Sequence, residues 1–387
     1  MQNFDYYNPT HIVFGKDRLA ELNTLVPQGA KVLVLYGGGS VKRFGTLDKV
    51  LANLGDREVV EFGGIEPNPQ FDTLMKAVEI VRKENIDFLL AVGGGSVMDG
   101  TKFVAAAAPF EGDEASLLTH GFAPLPIEKS IPLATVATLP ATGSEMNMGA
   151  VVSYQGGKFP VMSPLNFPKF SVLDPSLTFT LPKTQISNGI VDAFIHIVEQ
   201  YVTYPANALV QDRTSEGLLK TLIEVGPTTL EQPENYEARS SLVWSATWAL
   251  NGFIGAGAVQ DWTTHMIGHE LTALFGIDHG QSLAIIQPSV WKLRKDKKRA
   301  KLLQYAERVW EITDGSDDER IDAAINKTRE FFESLGVKTR LSEYGVERNQ
   351  IDDVVNALEK HGLTALSETG DITLDISRQI IEDAFSA

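Results

Sequence analysis

Two stretches of this chain read alike: LVLY-GGGSV at 33–41 and LLAV-GGGSV at 89–97 each run from apolar residues through three glycines and a serine into a helical pattern. A strand that turns so abruptly into a helix, and does so twice, commits the first half to a mostly parallel sheet with helices packed on it. Three successive glycines let a backbone approach a bulky anion, and the helix N-terminus that follows aims amide N–H groups at it. Tight strand-to-helix turns also use glycine without any ligand, but two in one sheet point to a nucleotide. Neither turn has the spacing G-x-G-x-x-G or G-x-x-x-x-G-K-[ST], so the signal is a phosphate ligand of unspecified kind. Glu61 lies near the spacing at which an acidic residue binds a ribose 2′-hydroxyl, but it follows an atypical turn and carries little weight.

The surrounding sequence keeps the alternation going. KVLVLY (31–36), REVVEFGG (57–64), DFLLAVGGGS, IPLATVATLP from Ile131 and SVLDP (171–175) read as strands, while LDKVLANLG and FDTLMKAVEIVRKEN read as helices. From about Leu181 long amphipathic patterns replace them, among them GIVDAFIHIVEQYV and ARSSLVWSATWALNGFIGAGAV. We therefore expect an α/β, Rossmann-like domain over 1–180 and an all-α domain over 181–387, with a hinge between Asp174 and Pro182. The 387 residues suit two cores better than one.

A formal charge of −16 repels nucleic-acid phosphates and anionic lipid surfaces, so neither is an expected partner. The opening Met1-Gln2-Asn3-Phe4-Asp5 lacks the basic and apolar regions of a signal peptide, and the expectation is a cytoplasmic protein. Cysteine is absent, so any metal must be held by nitrogen and oxygen.

Such donors cluster in the second half. Asp192 and His196 stand four apart in an apolar helical pattern and project from one face; a carboxylate aimed at a core needs a partner. His265 and His269 repeat that spacing, and His279 follows just before Gly280. A lone histidine on an apolar face is more often a hydrogen-bonded core residue, and Asp192 could pair with a buried arginine. Together, an aspartate and several histidines make a set suited to Zn²⁺ or Fe²⁺. Position 273 holds Ala, so Glu270 does not complete the H-E-x-x-H of metalloproteases.

Over its whole length the chain resembles the iron-activated, group III alcohol dehydrogenases, especially their butanol dehydrogenase and broad-range aldehyde reductase branch. The likeness rests on FGKDRLAEL, GGGS (37–40), GIEPNP (64–69), AVGGGSVMDGTK (91–102), TLPATGSE (138–145), VLDP (172–175), NGIVDAFIHIVEQY and H-x3-H-x9-HG from His265 to Gly280. It implies a dehydroquinate synthase-like architecture, with a nicotinamide-binding α/β domain and a helical metal-binding domain. It also implies metal ligands at Asp192, His196, His265 and His279, with His269 close to nicotinamide and substrate rather than on the metal. For the cofactor it implies Gly37, Gly38 and Ser40 at the adenosine end, and Asn68, Gly94, Gly95, Ser96 and Asp99 toward the pyrophosphate and nicotinamide. Thr138, Thr142, Asn147, Lys158 and Thr180 complete that set.

The activity so implied is hydride transfer between a nicotinamide cofactor and small aldehydes or primary alcohols, assisted by one divalent metal, Zn or Fe, in a homodimer. NADPH is expected over NADH, which remains possible: NAD-using relatives often carry Asp where this chain has Gly39, and here Lys42 and Arg43 follow closely. Met146, Met148, Phe253 and Trp262 are candidates to line a small, weakly polar substrate site, although ordinary packing explains each singly. Two other readings compete. A lyase of the dehydroquinate synthase type handles a highly anionic substrate, yet 185–200 and 250–285 contain no Lys or Arg. A catalytically silent binding protein would have no need of the full ligand set.

Overall fold

The computed structural model describes residues 1–385, which fall into two compact units: Tyr7–Leu181, and Met1–Tyr6 together with the chain from Pro182 onward. The first unit is built on strands β1 (His11–Phe14), β2 (Lys31–Tyr36), β3 (Glu58–Phe62), β4 (Phe88–Gly93), β5 (Leu133–Ala137), β6 (Gly149–Tyr154), β7 (Gly157–Met162) and β8 (Phe170–Leu173). Six of them form one parallel sheet in the order β1-β8-β5-β4-β2-β3, and β6 and β7 pair as a separate antiparallel hairpin. Short helices α1 (Leu22–Leu25), α2 (Ser40–Arg43) and α3 (Thr46–Ala52) precede the longer α4 (Phe71–Glu84) and α5 (Gly95–Ala107).

The central strands explain this arrangement. KVLVLY and FLLAVG are apolar at nearly every position because both faces of a parallel sheet are covered. Val32, Val34, Phe88, Leu90 and Val92 join Leu22, Leu47, Val50 and Leu54 in one core, while the alternate residues Leu33, Leu35, Leu89 and Ala91 point to the opposite face and are equally buried. Each fully buried aliphatic side chain contributes about 1.5–3 kcal/mol, enough to fix the register of the inner strands. From β2 the chain moves outward to β3, and from β4 it moves the other way to β5. The direction of winding thus reverses between β2 and β4, the position where open parallel sheets leave a crevice at the carboxyl ends of their strands. Both GGGS turns leave those two ends.

The second unit is helical: α6 (Lys183–Tyr201), α7 (Leu209–Glu231), α8 (Tyr236–Ala249), α9 (Thr263–Phe275), α10 (His279–Leu293), α11 (Lys295–Trp310), α12 (Asp317–Ser334), α13 (Ile351–Lys360) and α14 (Leu374–Phe385). Ile267 and Leu271 of α9, Ile285 and Ile286 of α10, Val354 and Leu358 of α13, and Ile380 and Ile381 of α14 share one core. The amphipathic pattern ARSSLVWSATWALNGFIGAGAV is helical only in its first part: α8 ends at Ala249. The Asn251 carboxamide oxygen accepts from the Phe253 amide at 3.0 Å, a local turn that competes with helix, and the glycines beyond add no helix propensity. The N-terminal segment docks beside this turn, with the Gln2 amide donating to the Gly257 carbonyl at 2.9 Å and Tyr6 edge-on to Phe253 at 5.8 Å. No helix among the described residues is long and apolar enough to cross a membrane.

Candidate metal centre and cofactor cradle

Helix α6 carries Asp192 and His196 one turn apart, both buried. His265 projects from the first turn of α9, and His279 is the first residue of α10. Three imidazole nitrogens converge on one oxygen. Asp192 Oδ1 lies 3.5 Å from His196 Nε2, 3.6 Å from His265 Nε2 and 3.5 Å from His279 Nε2. Donor atoms of Asp192, His265 and His279 lie within 4.8 Å of one another, and His196 adjoins them through Asp192.

These separations are too long for good hydrogen bonds and suit a shared ion. A tetrahedral ion with donors at about 2.1 Å sets its ligands about 3.4 Å apart. Asp192 Oδ1 and His265 Nε2 are buried with no hydrogen-bond partner, a state that is costly unless something else satisfies them. The donor chemistry, one carboxylate and three imidazoles, fits a borderline divalent cation.

The electrostatics agree with a site that holds positive charge. Burial alone would raise the Asp192 carboxyl, but His196, His265 and His279 hold it well below the usual carboxylate range. Burial opposes a charged His265, yet Glu199 and Asp192 raise its pKa to about 9. Burial also pushes the Glu199 carboxyl up, opposed by His265. The rings stack as well: His196 and His265 are nearly parallel at 4.7 Å, and Trp262 stands edge-on to both.

His269, one turn beyond His265, is half-buried; its ring centre is 5.2 Å from that of His279 and 6.2 Å from that of His265. Of the apolar residues singled out for the substrate, Trp262 borders these imidazoles. Phe253 instead packs between Tyr6 and Trp248, in the aromatic cluster that follows α8.

In the first unit, the expected cofactor residues gather around the carboxyl ends of β2, β4 and β5. Gly37, Gly38 and Ser40 lie in the turn from β2 to α2, where Gly39 has φ +102°, a conformation that favours glycine. Gly94, Gly95, Ser96 and Asp99 open α5, and the Thr138 amide donates to the Gly93 carbonyl at 2.9 Å. Two hydrogen-bonded chains knit the rest together. The Asn68 amide donates to Ser96 Oγ at 3.3 Å, and Lys158 Nζ, on β7, donates to Asn68 Oδ1 at 3.0 Å. The Ser144 hydroxyl donates to Asp99 Oδ1 at 2.7 Å, and Asn147 Nδ2 donates to the Thr142 carbonyl at 3.4 Å. Thr180 stands exposed in the turn after the last strand, outside both chains.

One residue not singled out from the sequence, Lys102, organises this cradle together with the expected Asp99. Lys102, fully buried, donates to Ser144 Oγ, Asn147 Oδ1 and the Gly149 carbonyl at 2.8–2.9 Å. Asp99 accepts from Ser144 and, at 2.8 Å, from the Val151 amide, so its carboxylate holds the β6 hairpin against α5. Glu61 does not stand free to meet a ribose: it accepts from the Tyr36 hydroxyl at 3.0 Å and pairs with Lys42 at 3.4 Å.

The comparisons with known proteins fit both halves. Residues 9–175 match the iron-containing alcohol dehydrogenase family, and residues 186–369 match the C-terminal domain of the same Fe-containing family. The chain is 57% identical to the NADPH-dependent aldehyde reductase YqhD of Escherichia coli, over 99% of this chain and all of that one. It is 42% identical to a probable NADH-dependent butanol dehydrogenase of Bacillus subtilis, over 94% and 95%. A crystal structure of the E. coli protein superposes with a TM-score of 0.97 at 56% identity over 99% of each chain. That of the Thermotoga maritima NADH-dependent butanol dehydrogenase A gives 0.93 at 36%, over 100% and 99%. The chain belongs to the iron-containing alcohol dehydrogenase family.

Proposed function

We propose that this chain is an NADPH-dependent reductase of small aldehydes, able to run toward alcohol oxidation, with one divalent ion, Zn²⁺ or Fe²⁺, held by Asp192, His196, His265 and His279. The observation that carries the reading is the convergence of three imidazole nitrogens at 3.5–3.6 Å on Asp192 Oδ1. When bound, the ion supplies Lewis acidity to the substrate oxygen and the nicotinamide supplies hydride.

The chain's own residues supply the rest. Asp192 sets a negative charge against the ion, and the burial of Asp192, His196 and His265 limits the access of competing water to their donors. We assign His269 to the path by which a proton reaches or leaves the substrate oxygen, supported by its place beside His265 and His279. At the adenosine end, Gly38 offers open space and Lys42 a cation, which favours a cofactor carrying a 2′-phosphate. Asn68, Ser96 and Lys158 are one hydrogen-bonded group suited to the diphosphate and ribose side.

The lyase reading is not supported, since an anionic substrate would need basic residues where 185–200 and 250–285 have none. We also propose a cytoplasmic homodimer, from the family resemblance; light scattering after size exclusion checks the assembly. The deciding experiment is consumption of NADPH against NADH over a series of short straight-chain aldehydes, with and without a chelator. Metal-dependent turnover that prefers NADPH is expected. No turnover despite bound metal would leave the silent binding protein, and a clear NADH preference would reverse the cofactor assignment.

A further inference from the structure

We infer that Glu199 is a positioning residue of the metal centre, holding His265 in the one tautomer and orientation that presents Nε2 toward Asp192. The inference rests on the metal reading above. Glu199 follows Asp192 and His196 on the same face of α6, at the i+7 position, and is buried. Helix α6 therefore supplies two of the proposed ligands and a grip on a third that comes from α9.

That grip is twofold. One carboxylate oxygen of Glu199 accepts from the Thr264 backbone amide at 2.6 Å, and the other contacts His265 Nδ1. The first bond satisfies an amide in the opening turn of α9, which has no partner within its own helix. With that oxygen engaged, the second is aimed at Nδ1 of the next residue. An imidazole whose Nδ1–H donates to a carboxylate has its Nε2 lone pair free, and that nitrogen faces Asp192 Oδ1 at 3.6 Å. The backbone adds a third link, because the Glu199 carbonyl accepts from the Asp261 amide at 2.7 Å. Asp261 is itself clamped by buried Lys298 at 2.9 Å, and its side chain accepts from the Thr263 amide at 2.9 Å. The turn into α9 is thus fixed immediately before the point where the Glu199 side chain takes hold of it.

Glu199→Gln separates this role from simple helix capping. Its amide oxygen still accepts from Thr264, which leaves the NH₂ group facing Nδ1. Nδ1 must then act as acceptor, so the proton moves to Nε2, where it blocks the metal. The test is the Zn²⁺ dissociation constant of the metal-free, full-length chain, by competition with a chromophoric chelator, alongside its melting temperature. We expect affinity about 10–100-fold weaker in Glu199→Gln, with the apo melting temperature close to wild type. Unchanged affinity in Glu199→Gln, while Asp192→Asn loses it, overturns the inference and leaves the metal reading standing. If Asp192→Asn also binds normally, both fall. Should Glu199→Gln fail to fold, ¹⁵N-histidine NMR of the Zn²⁺-loaded wild type decides: His265, assigned by its loss in His265→Gln, must be the Nδ1–H tautomer, and an Nε2–H tautomer refutes the proposal.

Discussion

Gly280 packs against Asn188 so closely that a Cβ at position 280 would stand 2.4 Å from the Asn188 backbone oxygen. The contact lets the first turn of α10 settle onto α6, and His279, the residue before, comes within 3.5 Å of Asp192 Oδ1 as a result. Gly280→Ala must push backbone from backbone, since no flexible side chain can give way. We expect a stability loss of about 1–3 kcal/mol, typical of overpacking, with weaker metal binding because His279 is carried outward. Metal content after dialysis and the melting temperature check both. Retention of full metal content would mean that His279 is not held by this contact.

Removing the metal should destabilise the protein without unfolding it. An ion that binds only the folded state stabilises by RT ln(1 + [M]/Kd), about 4 kcal/mol at a thousandfold excess over Kd. The core formed by Ile267, Leu271, Ile285, Ile380 and their neighbours does not pass through the ligands, so the helices should persist. A chelator should therefore lower the wild-type melting temperature while leaving far-ultraviolet circular dichroism intact, and change neither in Asp192→Asn. A wild-type melting temperature indifferent to chelation would count against the metal reading.

The sequence made some of this legible and concealed the rest for physical reasons. Asp192 and His196 could be paired because helical periodicity places i and i+4 on one face. The two GGGS turns announced parallel strands because each leads from an apolar run directly into a helical pattern. Glu199 was hidden in plain view: its i+7 position shares that face, but an acid in the last turns of a helix usually meets water, and only the approach of α9 gives it partners. Lys102 was missed in the same way, as a helical lysine whose three acceptors come from distant segments. Periodicity also overran the end of α8, where the Asn251 side chain, a local competitor, prevailed over an apolar pattern that continued without it.

Cofactor preference should respond to one residue in the first turn. Gly39→Asp would introduce a carboxylate beside the proposed 2′-phosphate site, close to Lys42. At about 5 Å and an effective dielectric constant of roughly 20–80, each pair of like charges costs about 1–3 kcal/mol. The ratio of kcat/KM for NADPH to that for NADH should drop by about one to two decades, chiefly through KM for NADPH. The φ of +102° at this position is tolerated by aspartate better than by most residues, and the melting temperature controls for strain. An unchanged ratio would move the 2′-phosphate away from this turn.

Lys102 gives the cradle a pH dependence with a definite sign. Burial pulls its ammonium down from 10.5 to about 8, only partly opposed by Asp99 and Glu145. Below about pH 8 the folded and unfolded chains both hold this proton, and the full cost of burying the charge is present. Above it, up to about 10.5, the unfolded chain still binds the proton that the fold has released, so this group makes stability rise with pH. In Lys102→Met the contribution is absent. The melting temperature of the wild type relative to Lys102→Met should therefore increase between about pH 7 and about pH 9.5, where the linkage acts. NADPH affinity should move the opposite way in the wild type, because a neutral amine has only two N–H donors for its three acceptors, Ser144, Asn147 and the Gly149 carbonyl. Fluorescence titration with NADPH across the same range measures it. A stability difference that stays flat or falls as pH rises would show that Lys102 keeps its proton and that the charge is not the strained element of the cradle.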